Sequence, residues 1–227
     1  NLIQEQTIQE DSMDNISVII RCRNEENYIG MAIQSVIDHL ENPEIIIIDN
    51  QSTDESMKVV SLFDRHDIRK YSLNGNYTPG KALNFGVEKA NNNTILVLSA
   101  HSQITALNIE MLNQWFRDDY VAVFGNQTPI YKGKKITKRY VWSHFTKDIT
   151  DNLHSKIEDR CFLHNAFCFY NREFLLENPF DEDLHGKEDR HWAMNVVKKG
   201  HKYLYDGNYQ KCNHYWTPNG ATWKGLG

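Results

Sequence analysis

Three short runs built almost wholly of β-branched and leucine side chains set the architecture of this chain: ISVII (Ile16–Ile20), EIIIID (Glu44–Asp49) and TILVLS (Thr94–Ser99). A strand that is apolar on both faces must be covered on both faces, as parallel strands are when helices wind on either side of a sheet. The segments between the runs supply that cover. Tyr28–Glu41 sets Ile29, Ile33, Val36, Ile37 and Leu40 at helical spacing, and Pro43 closes it. Asp54–Phe63, Gly80–Asn91 and Asn108–Arg117 read as further helices, with strands at Ile68–Ser72 and at Val121–Phe124, which ends in Gly125. After Gly125 the pattern loosens into the basic stretch YKGKKITKRY. It resumes with a strand at Ala166–Tyr170, a helix at Glu188–Lys199 and a strand at Lys202–Asp206. The expected fold class is α/β, a doubly wound and mostly parallel central sheet flanked by helices.

Composition narrows the function classes. Hydrophobic residues make up 40% and charged residues 24%, which excludes a disordered or fibrous chain. No run approaches the roughly 18 apolar residues of a membrane helix, and the start NLIQEQTIQEDSMD is too polar for a signal peptide. A cytoplasmic location is expected, peripheral at the inner membrane face at most. With 25 basic against 30 acidic residues the net charge is -5, so there is no basic face for nucleic acid, although a small anionic ligand needs only a few cations. The four cysteines (Cys22, Cys161, Cys168, Cys212) form no C-x-x-C pair and read as reduced, packed thiols. Residues 1–15 read as a flexible lead-in and 16–227 as one domain. The missing initial Met and the abrupt end at Gly227 suggest a module with further domains in a longer parent chain.

In a doubly wound sheet, ligands bind beyond the carboxyl ends of the strands. There the three runs enter RCRNEE, DNQSTD and SAHS. Asp49 and Asn50, followed by Ser52, Thr53 and Asp54, suit a nucleobase edge and ribose hydroxyls; capping of the next helix is the plainer role for one of the latter three. Gly80 and Lys81 open a helix, a place that suits a phosphate, although a plain N-terminus with a solvated lysine fits equally. Glu188 and Asp189 in GKEDRHW also open a helix, as dipole partners or, more sharply, as a general base.

These segments together resemble the family 2 glycosyltransferases of the GT-A fold over residues 16–216. ISVIIRCRNEENYIGMAIQSV with EIIIIDNQSTDES looks like the family's nucleotide-binding opening. YTPGKALNFGVEKANNNTILVLSA is similar to its next segment, and NPFDEDLHGKEDRHWAMNVVKKGHKYLYD to the acceptor-side segment ending in a Glu-Asp pair. The resemblance implies a nucleotide-sugar half at 16–125 and an acceptor half at 126–227. It implies Arg21, Arg23, Glu25, Asp49 and Asn50 around the nucleoside, and Lys81, Asn84, Ser99 and His101 toward the phosphates. Asp189 is implied as the base that deprotonates the acceptor hydroxyl, with Glu188 as an orienting or rival carboxylate, and His164, Asn165 and Trp216 on the acceptor side. The implied reaction moves a sugar from a UDP-, dTDP- or CMP-linked donor to a saccharide or lipid-linked acceptor by one inverting displacement, in bacterial surface polysaccharide biosynthesis.

One departure bears on the cofactor. Where the family carries Asp-x-Asp for a divalent metal, this chain reads Ser99-Ala100-His101. Either His101 and His214 hold a softer metal such as manganese in place of magnesium, or no metal is needed and His101, Lys81 or an arginine supplies the positive charge. The loss of both carboxylates favours the second. The tail HYWTPNGATWKGLG, with His214, Trp216 and Trp223, reads as a closing flap or as a packed tail. The basic loop Lys132–Arg139 reads as solvated, and His154, His185 and His191 as ordinary surface or helix histidines. Two rivals stand beside this reading: a sugar nucleotidyltransferase, which would show a glycine-rich phosphate loop near its first strand, and a non-catalytic sugar-binding module without need of Asp189.

Overall fold

A computed structural model describes residues 15–63, 68–73, 75–132, 134–135 and 140–218. The first half alternates as the apolar runs require: β1 (Ile16–Cys22), α1 (Ile29–His39), β2 (Glu44–Asp49), α2 (Ser56–Ser61), β3 (Ile68–Ser72), α3 (Pro79–Lys89) and β4 (Thr94–Ser99). It continues through β5 (Ser102–Ala106), α4 (Ile109–Arg117), β6 (Tyr120–Tyr131), β7 (Lys134–Lys135), a 3-10 turn at Tyr140–His144, and β8 (Ile149–Asp151). The short strands β9 (His154–Ser155) and β10 (Arg160–Cys161) pair with each other. Then come β11 (Phe167–Asn171), α5 (Arg172–Glu177), α6 (Glu188–Lys198) and β12 (Lys202–Tyr215).

The main sheet runs in the order β3-β2-β1-β4-β11-β6-β12-β5, with β7 on β6 and β8 on β12. Strands β3, β2, β1 and β4 are mutually parallel. β11 enters antiparallel between β4 and β6, and β12 returns parallel to β6. Alternate side chains of each run serve opposite faces. Ile19, Ile46, Ile48, Ile95 and Val97 pack with α3 and with Trp192 of α6, whereas Val18, Ile20, Ile45, Ile47, Leu96 and Leu98 pack with α1. Each of these residues is at most 2% exposed, so both faces of the runs are covered. At the opposite end from the strand termini the buried Glu44 carboxylate is taken up by Ser17, Arg69 and Asn91, so the charge is paired where it is buried.

Several elements differ from the sequence expectation. β5 and α5 carry no apolar run of their own, and the helix expected over Asp54–Phe63 shortens to Ser56–Ser61 because Asp54 and Glu55 are spent in loop contacts. β6 does not end at Gly125 but continues to Tyr131. β12 runs past Asp206 through an irregularity between Asp206 and Lys211, and so carries Cys212–Tyr215 alongside Gln127–Ile130. The Asp206 carboxylate holds this bulge by accepting N–H groups of Asn208 and Tyr209 and the indole N–H of Trp115. His214 therefore lies buried in a strand, so it is not part of a flap. Trp216 packs edge-on to Tyr131 at 5.8 Å between ring centroids. Trp223 and the lead-in over residues 1–14 lie outside the described residues, as do positions 133 and 136–139 of the basic loop.

The start of α3 is enclosed. Thr78 caps it by accepting Lys81 N–H at 3.2 Å and donates its hydroxyl to Glu182 O at 2.7 Å. A Cβ on Gly80 would lie 2.3 Å from Asp181 O. Gly80 is thus required by a close backbone approach to the segment at Asp181, while Pro79, the first residue of the helix, lines a cleft. Gly80→Ala is expected to cost about 1–3 kcal/mol by forcing these two backbones apart. That corresponds to roughly 2–4 °C of thermal midpoint for each kcal/mol, read by calorimetry; an unchanged midpoint would refute the packing role.

Candidate active site

The polar clusters at the ends of β1 and β2 first build each other. Asn24, in the left-handed region at φ 54°, donates its N–H to Ser52 Oγ at 3.0 Å and accepts Thr53 N–H on Oδ1 at 2.7 Å. Glu25 N–H reaches Ser56 Oγ at 2.7 Å, and the Asp49 carboxylate accepts the Ser52 hydroxyl at 2.6 Å. Ser52, Thr53 and Asp54 thus fasten the loop; none of them caps α2, whose N-cap residue is Glu55 with no side-chain cap bond. Asp49 itself turns into this loop, while its neighbour Asn50 lines a cleft.

Two adjoining clefts, of about 220 and 260 Å³, open at the carboxyl ends of β1 and β4 and share Arg21, Ser99, His101 and Asn165. The second also takes in Arg23, Glu25, Asn50 and Tyr77. The first reaches His164, His214, His185 and the start of α6 with Glu188 and Asp189. Of the expected donor-side residues, Arg21, Arg23, Glu25, Asn50, Ser99 and His101 are therefore gathered together. Lys81 and Trp216 line neither cleft. Asn84 is occupied elsewhere: it donates to Phe180 O at 2.9 Å and Glu182 Oε1 at 3.0 Å and accepts Phe180 N–H at 3.0 Å, tying down the segment that leads into α6. His185, expected as an ordinary surface histidine, sits on the first cleft's wall.

The two carboxylates at the start of α6 are each 5% exposed and have different surroundings. Asp189 accepts Asn165 N–H at 2.9 Å, Arg190 N–H at 2.8 Å and the Arg190 guanidinium at 3.0 Å. Burial pulls its pKa upward, but Arg190, His164 and these N–H groups outweigh burial and hold it below the ordinary carboxylate range. Glu188 meets Arg21 at 3.5 Å and the Asn165 side-chain amide at 3.4 Å. Burial, reinforced by the charge of Asp189, lifts its pKa above the ordinary value despite Arg21. Burial also works against the charge of Arg21, yet Tyr77, Glu188 and Asp189 together hold its pKa above that of a free guanidinium. Asn165 is set between the carboxylates by Tyr170, whose hydroxyl donates to Asn165 Oδ1 at 2.5 Å.

A histidine group lines the first cleft. His101 Nδ1 bonds Glu25 Oε1 at 2.9 Å, and its ring stacks on His214 at 5.1 Å between centroids. His164 is pushed down to about pKa 3 by burial and by Arg190, and His214 is held well below its ordinary value by burial and by His101 and His164. For a divalent cation, the end of β4 thus offers a hydroxyl and imidazoles. Among the described residues no group of three or more His, Cys, Asp or Glu side chains converges as a metal set. A hard octahedral cation that demands oxygen ligands does not fit this donor set.

Tyr77, Arg190 and Gln127 were not singled out in the sequence. Arg190 had a signal, as a cation directly after the Glu-Asp pair. Tyr77 lies two residues before Pro79 in an otherwise unremarked turn, and Gln127 has no local signal, because its partners are 37 and 87 positions away.

The polar strand ends of this α/β sheet gather around a double cleft lined by arginines and carboxylates, the place where sheets of this kind bind their ligands. The family profile "Glycosyl transferase family 2" matches residues 17–177, and the chain belongs to that family. It is 29% identical over 202 residues to the Campylobacter jejuni GalNAc(5)-diNAcBac-PP-undecaprenol beta-1,3-glucosyltransferase, covering 85% of this chain and 63% of that one. A second relative is the Methanococcus voltae dolichyl N-acetyl-alpha-D-glucosaminyl phosphate 3-beta-D-2,3-diacetamido-2,3-dideoxy-beta-D-glucuronosyltransferase. It is 32% identical over 99 residues, with 40% of this chain and 30% of that one covered. Among solved structures, S. aureus TarS in complex with UDP-GlcNAc superposes with a TM-score of 0.67 at 20% identity, over 91% of this chain and 60% of that one. GalNAc-T7 with UDP, GalNAc and Mn2+ gives 0.69 at 16% identity, over 91% and 44%. The fold is GT-A. The chain spans less than two thirds of the length of these relatives.

The depressed histidines make stability pH-dependent. The unfolded state binds a proton on each near pH 6.5, whereas folded His164 resists protonation down to about pH 3. Stability is therefore complete above pH 6.5 and declines as pH falls through that window, by at most ~1.4 kcal/mol per pH unit per histidine. Denaturant melts of the wild type and His164→Gln between pH 7.5 and 4.5 check this. The variant is expected to lose less over the range, and parallel curves would remove His164 as a source.

Proposed function

We propose that this chain is the catalytic domain of an inverting glycosyltransferase, which moves a sugar from a nucleotide-sugar donor to a saccharide or lipid-linked acceptor in bacterial surface polysaccharide assembly. The observation that carries the reading is the convergence of Arg21, from the end of β1, with Glu188 and Asp189, from the start of α6, on one cleft wall. A single displacement needs positive charge where the phosphate departs and a carboxylate where the attacking hydroxyl loses its proton, and this wall has both. A UDP-linked donor is the first choice, supported by the UDP-GlcNAc complex of TarS, with dTDP- and CMP-sugars as the other candidates. A lipid-linked acceptor is supported by the undecaprenol-linked substrate in the Campylobacter enzyme's name. No described helix is long and apolar enough to cross a membrane; in this reading the acceptor is met at the cytoplasmic side of the inner membrane face.

In this reading Arg21, Arg23, Asn50 and Tyr77 surround the nucleotide. Asp189 takes the proton: three N–H donors keep it ionised, and the attacking hydroxyl becomes acidic as its bond to the anomeric carbon forms. Glu188 orients Arg21. Asp189→Asn is expected to lower kcat by about 10²–10⁴-fold while leaving donor affinity within about twofold, measured by nucleotide release and calorimetry. Glu188→Gln should cost less. The rate should stay flat from pH 8 down to about pH 5, because the pKa of Asp189 is depressed below the ordinary value near 3.9. An acid limb above pH 5 that vanishes in Glu188→Gln would instead make Glu188 the base.

We also propose that transfer is metal-independent, with Arg21 and a Glu25-supported His101 facing the departing phosphate. Activity after treatment with excess EDTA should match that of untreated enzyme. Complete loss restored by manganese would overturn this part alone. A UDP-, dTDP-, GDP- and CMP-sugar panel that releases no nucleotide with any acceptor would favour a non-catalytic sugar-binding module.

A further inference from the structure

The first cleft contains a chain of hydrogen bonds whose polarity is fixed from one end. Ala166 N–H points at His164 Nδ1 at 3.2 Å, and a backbone amide can only donate. His164 Nδ1 is therefore an acceptor, and the ring's proton sits on Nε2. Gln127, 1% exposed on β6, also approaches His164 Nδ1, with its Nε2 at 3.2 Å. An acceptor there fixes the amide with its NH₂ toward His164 and its carbonyl toward His214 Nδ1, 2.9 Å away. That carbonyl can only accept, so His214 carries its proton on Nδ1 and keeps a bare lone pair on Nε2. Among the described residues neither Nε2 has a protein partner, neither is a buried orphan atom, and both rings line the cleft. The cleft therefore presents one N–H donor and one nitrogen acceptor side by side, with ring centroids 5.9 Å apart.

We infer that Gln127 is a positioning residue that locks His164 and His214 in opposite tautomers, so that they recognise a hydroxyl pair of the transferred sugar, His164 donating to one oxygen and His214 accepting from the other. The inference rests on the proposed transferase reading only for the identity of the ligand. The location fits: the two rings share the cleft with Arg21 and His101 on the phosphate side and with Glu188 and Asp189 on the acceptor side. The transferred sugar must lie between those groups. The charges facing the pair come from Arg190 and Asp189 on α6, His101 after β4 and His144 in the 3-10 turn. The depressed proton affinity of both rings keeps them neutral, so they suit hydroxyls and not an anion. A neutral donor-acceptor pair with fixed polarity discriminates sugars by hydroxyl configuration, because a wrong epimer leaves a buried polar group unpaired.

Long-range ¹H–¹⁵N correlation spectra of histidine-labelled protein read the tautomers directly. The expected result is His164 protonated on Nε2 and His214 on Nδ1, with both Nε2 signals moved by UDP-glucose or UDP-GlcNAc and not by UDP alone. Gln127→Leu should weaken nucleotide-sugar binding about tenfold or more with UDP affinity within about twofold. Gln127→Glu should force a proton onto His164 Nδ1 or make the ring cationic. The reverse tautomers in the wild type would overturn the inference, as would Nε2 signals unmoved by both nucleotide sugars. Manganese alone shifting His101 and His214 together would overturn it too, by making them a ligand pair. A chain that transfers no sugar from any donor refutes the transferase reading, while the tautomer spectra still decide the part played by Gln127.

Discussion

Two adjacent carboxylates inside a protein repel each other and resist burial, and the site depends on how Glu188 and Asp189 are kept there. Arg21 faces one at 3.5 Å and Arg190 the other at 3.0 Å, with Asn165 bonded to both. Arg190 is itself anchored, bonding Leu163 O at 3.3 Å, pairing with Glu158 at 3.7 Å and lying over the Phe162 ring at 4.4 Å. Removing one partner of such a buried set costs about 3–5 kcal/mol, because the charge left behind is uncompensated. These groups therefore form an interdependent set.

That set also joins the two halves of the chain. Arg21 belongs to β1, the first of the apolar runs at the sheet centre, whereas Glu188 opens a helix more than 160 positions later. Asn165 lies two residues before β11, the strand that enters antiparallel between β4 and β6. Through it the sheet's one central antiparallel insertion is registered against the carboxylates. The Asn84 and Thr78 bonds to the Phe180–Glu182 segment work from the other side, fixing the approach to α6 against α3. The nucleotide-facing loops are thus aligned with the carboxylates by direct hydrogen bonds, and no hinge separates them among the described residues.

The sheet centre was legible because burial on both faces writes a local signal: β1, β2 and β4 are continuous apolar runs. The ends of β6 and β12 were not. Past Gly125 and Asp206 these strands pair in a polar, cleft-facing part of the sheet, where Gln127, Asn213 and His214 replace the apolar residues that mark a strand. Among the cleft-lining residues, Arg21, His101, Glu188 and Asp189 were legible because each sits at or just past the end of a strong strand or at the start of a helix. For Asp49, Lys81 and Asn84, expected beside the donor, the sequence did not show which partners they take in the fold, for one reason. A polar residue near a strand end can serve the loop or the ligand, and the choice is made by partners far away in sequence, such as Phe180 for Asn84. Gln127 was invisible because a buried amide draws its meaning from two histidines brought to it only by pairing of β6 with β12.

The Ser99-Ala100-His101 segment is best understood through charge balance. Where a GT-A site holds two aspartates and a divalent ion, the charges of the three cancel, and the ion's contribution is a strong local field at the phosphate. In the metal-independent reading proposed above, both carboxylates and the ion are lost together, the net charge of the cleft is unchanged, and the field comes from other groups. Arg21 lies on the wall common to both clefts, and the imidazole of His101 is bonded to a Glu25 carboxylate that is 6% exposed. Glu25 Oε2 is buried with no hydrogen-bond partner, a cost that a protein retains when the carboxylate's charge is needed next door. A cleft arranged so would depend on the placement of Glu25, which the Ser56 hydroxyl secures from the start of α2 by accepting Glu25 N–H.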